Sequence, residues 1–310
     1  MDFISFFRQV AEDLRAEGNF GTAHVYRSTL NAIVRFHGCR RLPFHTITPE
    51  WLKRFEIYLR SDRECSWNTV STYFRMLRAV YNRAVDLRKA AYVPHLFRSV
   101  YTGTRADRKR ALDSNDMRKL LKNVSGKQID RSSSELRGTR DLFLLMFLLR
   151  GLPFVDLAYL RKSDLQGNVI TYRRRKTGRQ LSVTLTPETA CLLRLYMNRD
   201  ESSPYLFSIL TSNEGTEEAY REYQLALRNF NRRLEVLGRT LGLGAQLSSY
   251  TARHTWATVA YHCEIHPGII SEAMGHSSIT VTETYLKPFR SKKIDEANKK
   301  VIDFIRFGRE

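Results

Sequence analysis

Residues 273–285 read A-M-G-H-S-S-I-T-V-T-E-T-Y, and residues 250–255, a little upstream, read Y-T-A-R-H-T. The first stretch places Tyr285 nine residues after His276; the second places Arg253 beside His254. Further back, residues 151–165 read G-L-P-F-V-D-L-A-Y-L-R-K-S-D-L and follow the most apolar run of the chain, residues 142–149, which gives way to Arg150. Between these segments, V-I-T-Y at 169–172 and L-S-V-T-L at 181–185 bracket the basic stretch R-R-R-K-T-G-R at 173–179. Two β-branched or alternating runs around a basic turn predict a β-hairpin with Lys176 at its tip. Each pattern by itself is weak, because a buried Arg or a single Tyr is usually structural, and Tyr occurs 15 times. Their order and spacing give them weight together.

Charge indicates the kind of partner such a cluster meets. The 310 residues carry 51 Lys plus Arg against 32 Asp plus Glu, a net +19. Of the basic residues 38 are Arg and 13 are Lys, and the guanidinium is the better fork for phosphate oxygens. Residues 1–105 hold 17 basic and 9 acidic side chains, and residues 106–310 hold 34 and 23, so both halves carry the excess. A polyanion gripped by both halves fits that distribution. An anionic membrane fits it less well, since no basic amphipathic anchor stands at either end. No run reaches the ~18 apolar residues of a membrane span, and no basic-then-apolar leader opens the chain. Cys39, Cys65, Cys191 and Cys263 are too scattered for a disulfide framework or a zinc set, so a cytoplasmic protein is expected.

The first hundred residues predict a helical domain. Phe3, Phe6, Phe7, Val10 and Leu14 recur at helical spacing, as do Tyr26, Leu30, Ile33 and Val34. Thr48 caps a third helix with Pro49 at its first position and Trp51, Leu52, Phe55, Tyr58 and Leu59 on its apolar face. Asn68 is expected to cap a fourth, carrying Val70, Phe74, Leu77, Tyr81 and Val85, with Arg75, Arg78 and Arg83 as candidate DNA contacts. The polar segment 101–110, with Arg105, Arg108, Lys109 and Arg110, is the expected basic linker. Residues 111–310 form the second domain: a helix capped by Asp113 or Ser114, an apolar helix over 140–149, a further helix with Pro153 at its first position, the hairpin, and mainly helix thereafter. Ile294, Ala297, Val301 and Phe304 mark an amphipathic C-terminal helix. His262 and His266 are four apart, but Pro267 and Gly268 follow at once, so no metal site is expected.

In this order and spacing the second-half motifs resemble the catalytic domain of the tyrosine recombinases, the phage-integrase family. That family has an Arg-His pair on one helix, then L-G-H-S-S, then a nucleophilic Tyr about nine residues on, with an upstream G-L-R-x-x-E-L motif. The match covers about residues 105–290 by motif, and the helical first hundred residues match the core-binding domain by pattern. The resemblance implies a mainly α fold with a small β-sheet or hairpin in the catalytic domain. It also implies a two-domain, C-shaped clamp on duplex DNA: a helical SAM-like domain over 1–100, a linker over 101–110 and a catalytic domain over 111–310.

The resemblance further implies that Tyr285 attacks the scissile phosphate and holds the strand as a 3′-phosphotyrosine. Arg253 clamps the phosphate, His276 hydrogen-bonds a non-bridging oxygen or helps deprotonate Tyr285, and Lys176 protonates the leaving 5′ oxygen. Arg173, Arg174 and Arg175 are expected to contact DNA, and His254 to pack. The ester conserves the bond energy, so neither nucleotide nor metal cofactor is expected, and no small-molecule substrate. Two positions depart from the pattern. Pro153 stands where the family has its first Arg; Arg150, one helical turn earlier, is expected to take that role, with Asp156 in place of the usual Glu orienting the arginines. Tyr250 stands where H-x-x-R has His, and its hydroxyl can still donate to a phosphate oxygen. The G-L-P-F-V-D-L form resembles a Bacteroidetes branch. The implied assembly is a homotetramer on two synapsed recombination sites. Because the chain opens directly on core-binding helices, a simple invertase or resolvase on short repeats is expected, with an integrase of a phage or mobile element as the alternative. A non-catalytic DNA-binding protein on the same fold is the reading from another class.

Overall fold

The computed structural model describes residues 2–104, 111–122, 134–285 and 291–307. The chain forms two compact units: Met1–Asp107 with Gly215–Tyr220, and Arg108–Glu214 with Arg221–Glu310.

The first unit is built on four helices, α1 (Phe3–Ala16), α2 (Phe20–His37), α3 (Pro49–Ser61) and α4 (Trp67–Asp86). Their apolar stripes meet in one core of Phe3, Phe7, Ile33, Leu52, Phe55, Phe74 and Leu77. Each start has a local cause. The Asp2 carboxylate accepts the Ile4 and Ser5 amides and ties the Leu42 amide to the same oxygen. Thr48 accepts the Trp51 amide, with Pro49 first in α3. The α4 cap is Ser66 rather than the expected Asn68: Ser66 holds an extended backbone and its hydroxyl accepts the Thr69 amide, which leaves Asn68 inside the first turn.

The second unit starts with α5 (Ser114–Lys122), where the Asp113 carboxylate accepts the Asp116 amide. The apolar helix α6 (Ser134–Leu148) begins earlier than its apolar run, because Ser134–Gly138 add a polar first turn. It ends in a left-handed pair, Arg150 at φ 59° and Gly151 at φ 71°, with the Leu152 amide donating back to Met146 O. Pro153 is the residue before α7 (Phe154–Tyr159), one position ahead of the one the sequence suggested. Then come β1 (Leu165–Gln166), β2 (Val169–Arg173) and β3 (Gln180–Thr184), an antiparallel sheet in the order β1-β2-β3. Ile170 pairs with Val183 and Tyr172 with Leu181, so alternate residues of β2 face the core.

Helices α8 (Pro187–Tyr196) and α9 (Glu217–Thr240) lead to α10 (Ser249–His262), α11 (Pro267–Met274), α12 (Ile279–Glu283) and α13 (Ser291–Phe307). Apart from Arg253, the buried residues of α10 are small, among them Thr251, Ala252, Thr255, Ala257 and Ala260, which lets the helix pack closely on α6. A Cβ at Gly151 would stand 2.9 Å from Arg253 Cα, so only glycine fits where the end of α6 meets α10. His266 caps α11, its Nδ1 accepting the Gly268 amide at 3.0 Å, which gives this histidine a structural task. Ile294, Val301, Phe304 and Ile305 of α13 are exposed.

Candidate active site

Tyr285 lies just past α12 and is only 7% exposed. Its ring is wedged between His254 and His276, at centroid distances of 4.5 and 5.0 Å, and packs in a small cluster with Ala257, Ala260, Ile270 and Met274. Its backbone carbonyl accepts a hydrogen bond from the Thr258 hydroxyl. Its own hydroxyl meets that of Tyr250 at 2.5 Å. Tyr250 is more open, at 37%. Burial pushes its hydroxyl above the usual tyrosine range, and the neighbouring Tyr285 adds to the shift.

Arg253 is 1% exposed, with its guanidinium carbon 5.8 Å from the Tyr285 ring centroid. Its Nη1 donates to Gly151 O at 2.9 Å, and its Nη2 donates to Met274 O at 2.6 Å and meets His276 Nε2 at 2.8 Å. A guanidinium has no acceptor, so Nε2 accepts and the ring proton sits on Nδ1, which donates to Thr282 Oγ1 at 2.8 Å. Burial, followed by the charges of Arg253, Arg174 and Lys176, pushes His276 down to about 3. The imidazole is therefore neutral near pH 7, held by an arginine on one side and by the segment carrying Tyr285 on the other. Thr282 and Thr258 were not singled out from the sequence; no motif marks a threonine as a tether.

The hairpin turn is fastened to the same place. The Thr177 hydroxyl donates to Gly275 O at 3.3 Å and Arg179 Nη1 to His276 O at 2.8 Å. Lys176 stands exposed at the tip. The three preceding arginines have different surroundings. Arg173 is exposed and donates to Gly178 O. Arg175 stacks on Tyr159 at 3.8 Å and pairs with Glu214. Arg174 is 6% exposed, with Nη1 3.2 Å from Asp156 Oδ2, while Asp156 Oδ1 accepts the Arg175 amide. Burial raises the Asp156 carboxyl above the usual range against the pull of Arg174. The signal for Arg174 is the alternation of β2: Ile170 and Tyr172 face inward, and the next residue of that parity is 174.

Arg150 is half-buried, and its Nη1 donates to Ser182 O of β3 at 3.2 Å. In the first unit, Arg75, Arg78 and Arg83 lie exposed on α4, and Arg83 is 3.7 Å from Asp13. Arg105, Arg108, Lys109 and Arg110 fall outside the described residues.

The second unit thus gathers a phenol, two buried guanidiniums, a neutral histidine and an exposed lysine at the rim. Residues 110–292, more than half the chain, match the profile of the Phage integrase family. The chain belongs to the phage integrase family. Residues 2–95 match the Phage integrase SAM-like domain. Among characterised relatives of this integrase-family chain, tyrosine recombinase XerA of Saccharolobus solfataricus is 28% identical over 171 residues, covering 54% of this chain and 53% of the relative. Tyrosine recombinase XerC of Roseiflexus sp. is 24% identical over 290 residues, covering 91% and 87%. The match to XerA therefore spans about half the length of that relative. In fold, this family member superposes on the Tn1549 transposon integrase with a TM-score of 0.67 at 16% identity over all of both chains. On a lambda integrase dimer bound to a core site the TM-score is 0.64 at 15% identity, covering 91% of this chain and 76% of that one. No described helix is long and apolar enough to cross a membrane.

Proposed function

We propose that this protein is a site-specific recombinase that cuts and rejoins duplex DNA through a 3′-phosphotyrosine at Tyr285. The observation that carries this reading is the seating of Tyr285: its hydroxyl is bonded to Tyr250 beside the buried Arg253 and His276. In the reaction, Tyr285 Oη attacks phosphorus and the bond from phosphorus to the 5′ oxygen breaks. Arg253 faces the charge that develops on the phosphate. The tyrosine proton leaves to water on the more exposed Tyr250 side, and the Tyr250 hydroxyl donates to the attacking oxygen as it gives up that proton. Lys176 protonates the departing 5′ oxygen. His276 already spends Nε2 on Arg253, so it orients that guanidinium and is not the base for Tyr285. Rejoining is the reverse, with a 5′ hydroxyl attacking the ester, and conserves the bond energy without nucleotide.

The exposed arginines of α4, Arg75 and Arg78 first, together with the linker cations, supply sequence-independent phosphate contacts. The assembly we propose is a tetramer on two duplexes, supported by a fold shared with lambda integrase, which has been seen as a tetramer on a Holliday junction. We favour an invertase or resolvase on short repeats, and place the G-L-P-F-V-D-L form on a Bacteroidetes-like branch. An integrase of a mobile element is the second reading, supported by the likeness in fold to the Tn1549 integrase.

The test is a nicked suicide duplex that traps the covalent intermediate. Wild-type protein is expected to form a protein–DNA adduct, with or without EDTA, and Tyr285→Phe to bind DNA without forming one. A wild-type adduct yield from Tyr285→Phe would overturn the assignment. DNA binding without any wild-type adduct would leave a binding protein on this fold.

A further inference from the structure

A dianionic phosphorane-like transition state needs more positive charge than one guanidinium, and the position where the family carries its first arginine is Pro153. Arg150, the nearest arginine in sequence, sits in the left-handed turn after α6 and donates to a carbonyl of β3. Arg173 and Arg175 point to Gly178 O and to Glu214.

Arg174 differs from all three. It is buried, and its stem runs under the turn before His276, where a Cβ on Gly275 would stand 3.1 Å from Arg174 Cγ. A buried Arg–Asp pair that served only to hold the hairpin would align its donors on the carboxylate. Here Nη1 lies 3.2 Å from Asp156 Oδ2 without the alignment of a hydrogen bond, and neither Nη1 nor Nε of Arg174 meets an acceptor among the described residues. Arg253 Nε is in the same condition. Two desolvated guanidiniums in one neighbourhood repel: the Arg253 proton is held less tightly through burial and then through Arg174. The charges of both reach His276 and Tyr250. Nearby buried cations with open donors form an anion site.

We infer that Arg174 is the second phosphate-binding guanidinium of the active site, gripping with Arg253 the non-bridging oxygens of the scissile phosphate. This rests on the recombinase reading above. Asp156 is then a positioning residue that holds Arg174 and the Arg175 amide. The phosphate clamp and the lysine for the leaving oxygen lie two residues apart on one hairpin, Arg174 inward and Lys176 outward. Thr177 and Arg179 tie that hairpin to Gly275 and His276, on the segment that leads to the nucleophile.

The experiment measures single-turnover cleavage of the suicide duplex by wild type, Arg174→Ala, Arg174→Lys and Arg150→Ala. Each is tested with an ordinary scissile phosphate and with a methylphosphonate there, which removes one negative charge. Arg174→Ala is expected to lose about 100-fold in cleavage rate, the size seen when one such donor is removed, with DNA affinity changed far less. Arg174→Lys keeps the charge without the fork and is expected to fall in between. On the methylphosphonate the gap between wild type and Arg174→Ala is expected to shrink to under about tenfold, since less charge needs compensation; a purely structural role would leave the gap unchanged. Arg150→Ala is expected to stay within about threefold of wild type, consistent with loss of one exposed hydrogen bond. If Arg174→Ala fails to fold because Asp156 is orphaned, Asp156→Asn/Arg174→Ala removes the stranded charge and is assayed in its place. Orthovanadate is the second probe: it is expected to raise the melting temperature of wild type and not of Arg174→Ala. Wild-type cleavage by Arg174→Ala, an unchanged gap on the methylphosphonate, or equal vanadate stabilisation of both proteins would overturn the inference. Absence of any Tyr285 adduct from wild type would instead overturn the recombinase reading and leave Arg174 to be judged by vanadate alone.

Discussion

The Tyr250 and Tyr285 hydroxyls share a hydrogen bond of 2.5 Å, and the more exposed of the two is not the proposed nucleophile. Tyr250 remains a phenol through the physiological range because burial raises it. It can therefore donate to Tyr285 as that oxygen gains charge. A hydrogen bond to a charged group contributes about 1.5–3 kcal/mol, so Tyr250→Phe is expected to slow single-turnover cleavage by roughly 10- to 100-fold. Tyr250→His, which restores a donor, is expected to recover part of the rate. Equal rates for Tyr250→Phe and wild type would give the hydroxyl no part in cleavage.

His276 is held near 3 in the folded protein against 6.5 when free, so the folded state binds its proton less readily than the unfolded chain. The groups facing it are Arg253, Arg174, Lys176 and the Tyr285 ring. Stability linked to this residue is present above about pH 6.5 and is lost as pH falls from there toward 3. Chemical denaturation between pH 7 and 5 is expected to show a decline that is shallower in His276→Gln. The cleavage rate of wild type is expected to show no acidic limb centred near 6.5; such a limb lost in His276→Gln would show that the histidine titrates in the open.

Gly151 stands at φ 71° with Arg253 Cα 2.9 Å from where its Cβ would be. Gly151→Ala combines a left-handed non-glycine residue, of order 1–3 kcal/mol, with a backbone clash that moves α10. A melting temperature lower by several degrees is expected, together with a loss of cleavage larger than the loss of DNA binding, since Arg253 shifts with its helix. Gly167→Ala, equally left-handed but in open space, is the control for strain alone.

The exposed apolar residues of α13 suit a second copy in the proposed tetramer. Val301→Glu/Phe304→Glu is expected to leave binding of one protomer to a half-site intact and to abolish synapsis, read as the slow species in a native gel. Normal synapsis by this variant would remove α13 from the contact between protomers.

What the sequence made legible was periodic or punctuated. The four helices of the first unit followed from their apolar stripes, and Thr48-Pro49 marked the start of α3 as the structure has it. The hairpin followed from two β-branched runs. Tyr285, His276, Arg253 and Tyr250, far apart in the chain, were found by motif, and the fold gathers them. What stayed hidden depended on neighbours remote in sequence. Ser66 outcompeted Asn68 as a cap by backbone conformation. By charge alone Arg174 is one basic residue in a run of three, and only the alternation of β2, not composition, singles it out as inward. The tether from His276 to Thr282 has no pattern at all, since a threonine hydroxyl becomes an acceptor only through the tautomer that Arg253 imposes.

The place of Tyr285 in a packed cluster bears on fidelity. Its ring is wedged against Ala257, Ala260, Ile270 and Met274, and its carbonyl is fixed by Thr258. In the proposed reaction, a strand esterified to this side chain is moored to the interior of the fold, not to a swinging loop. The broken end then has no more freedom than a core residue, and cannot drift to a stray acceptor. Which partner it rejoins is decided by the 5′ end brought to it, so the accuracy of the exchange resides in how the duplexes are aligned and not in any search by the severed strand.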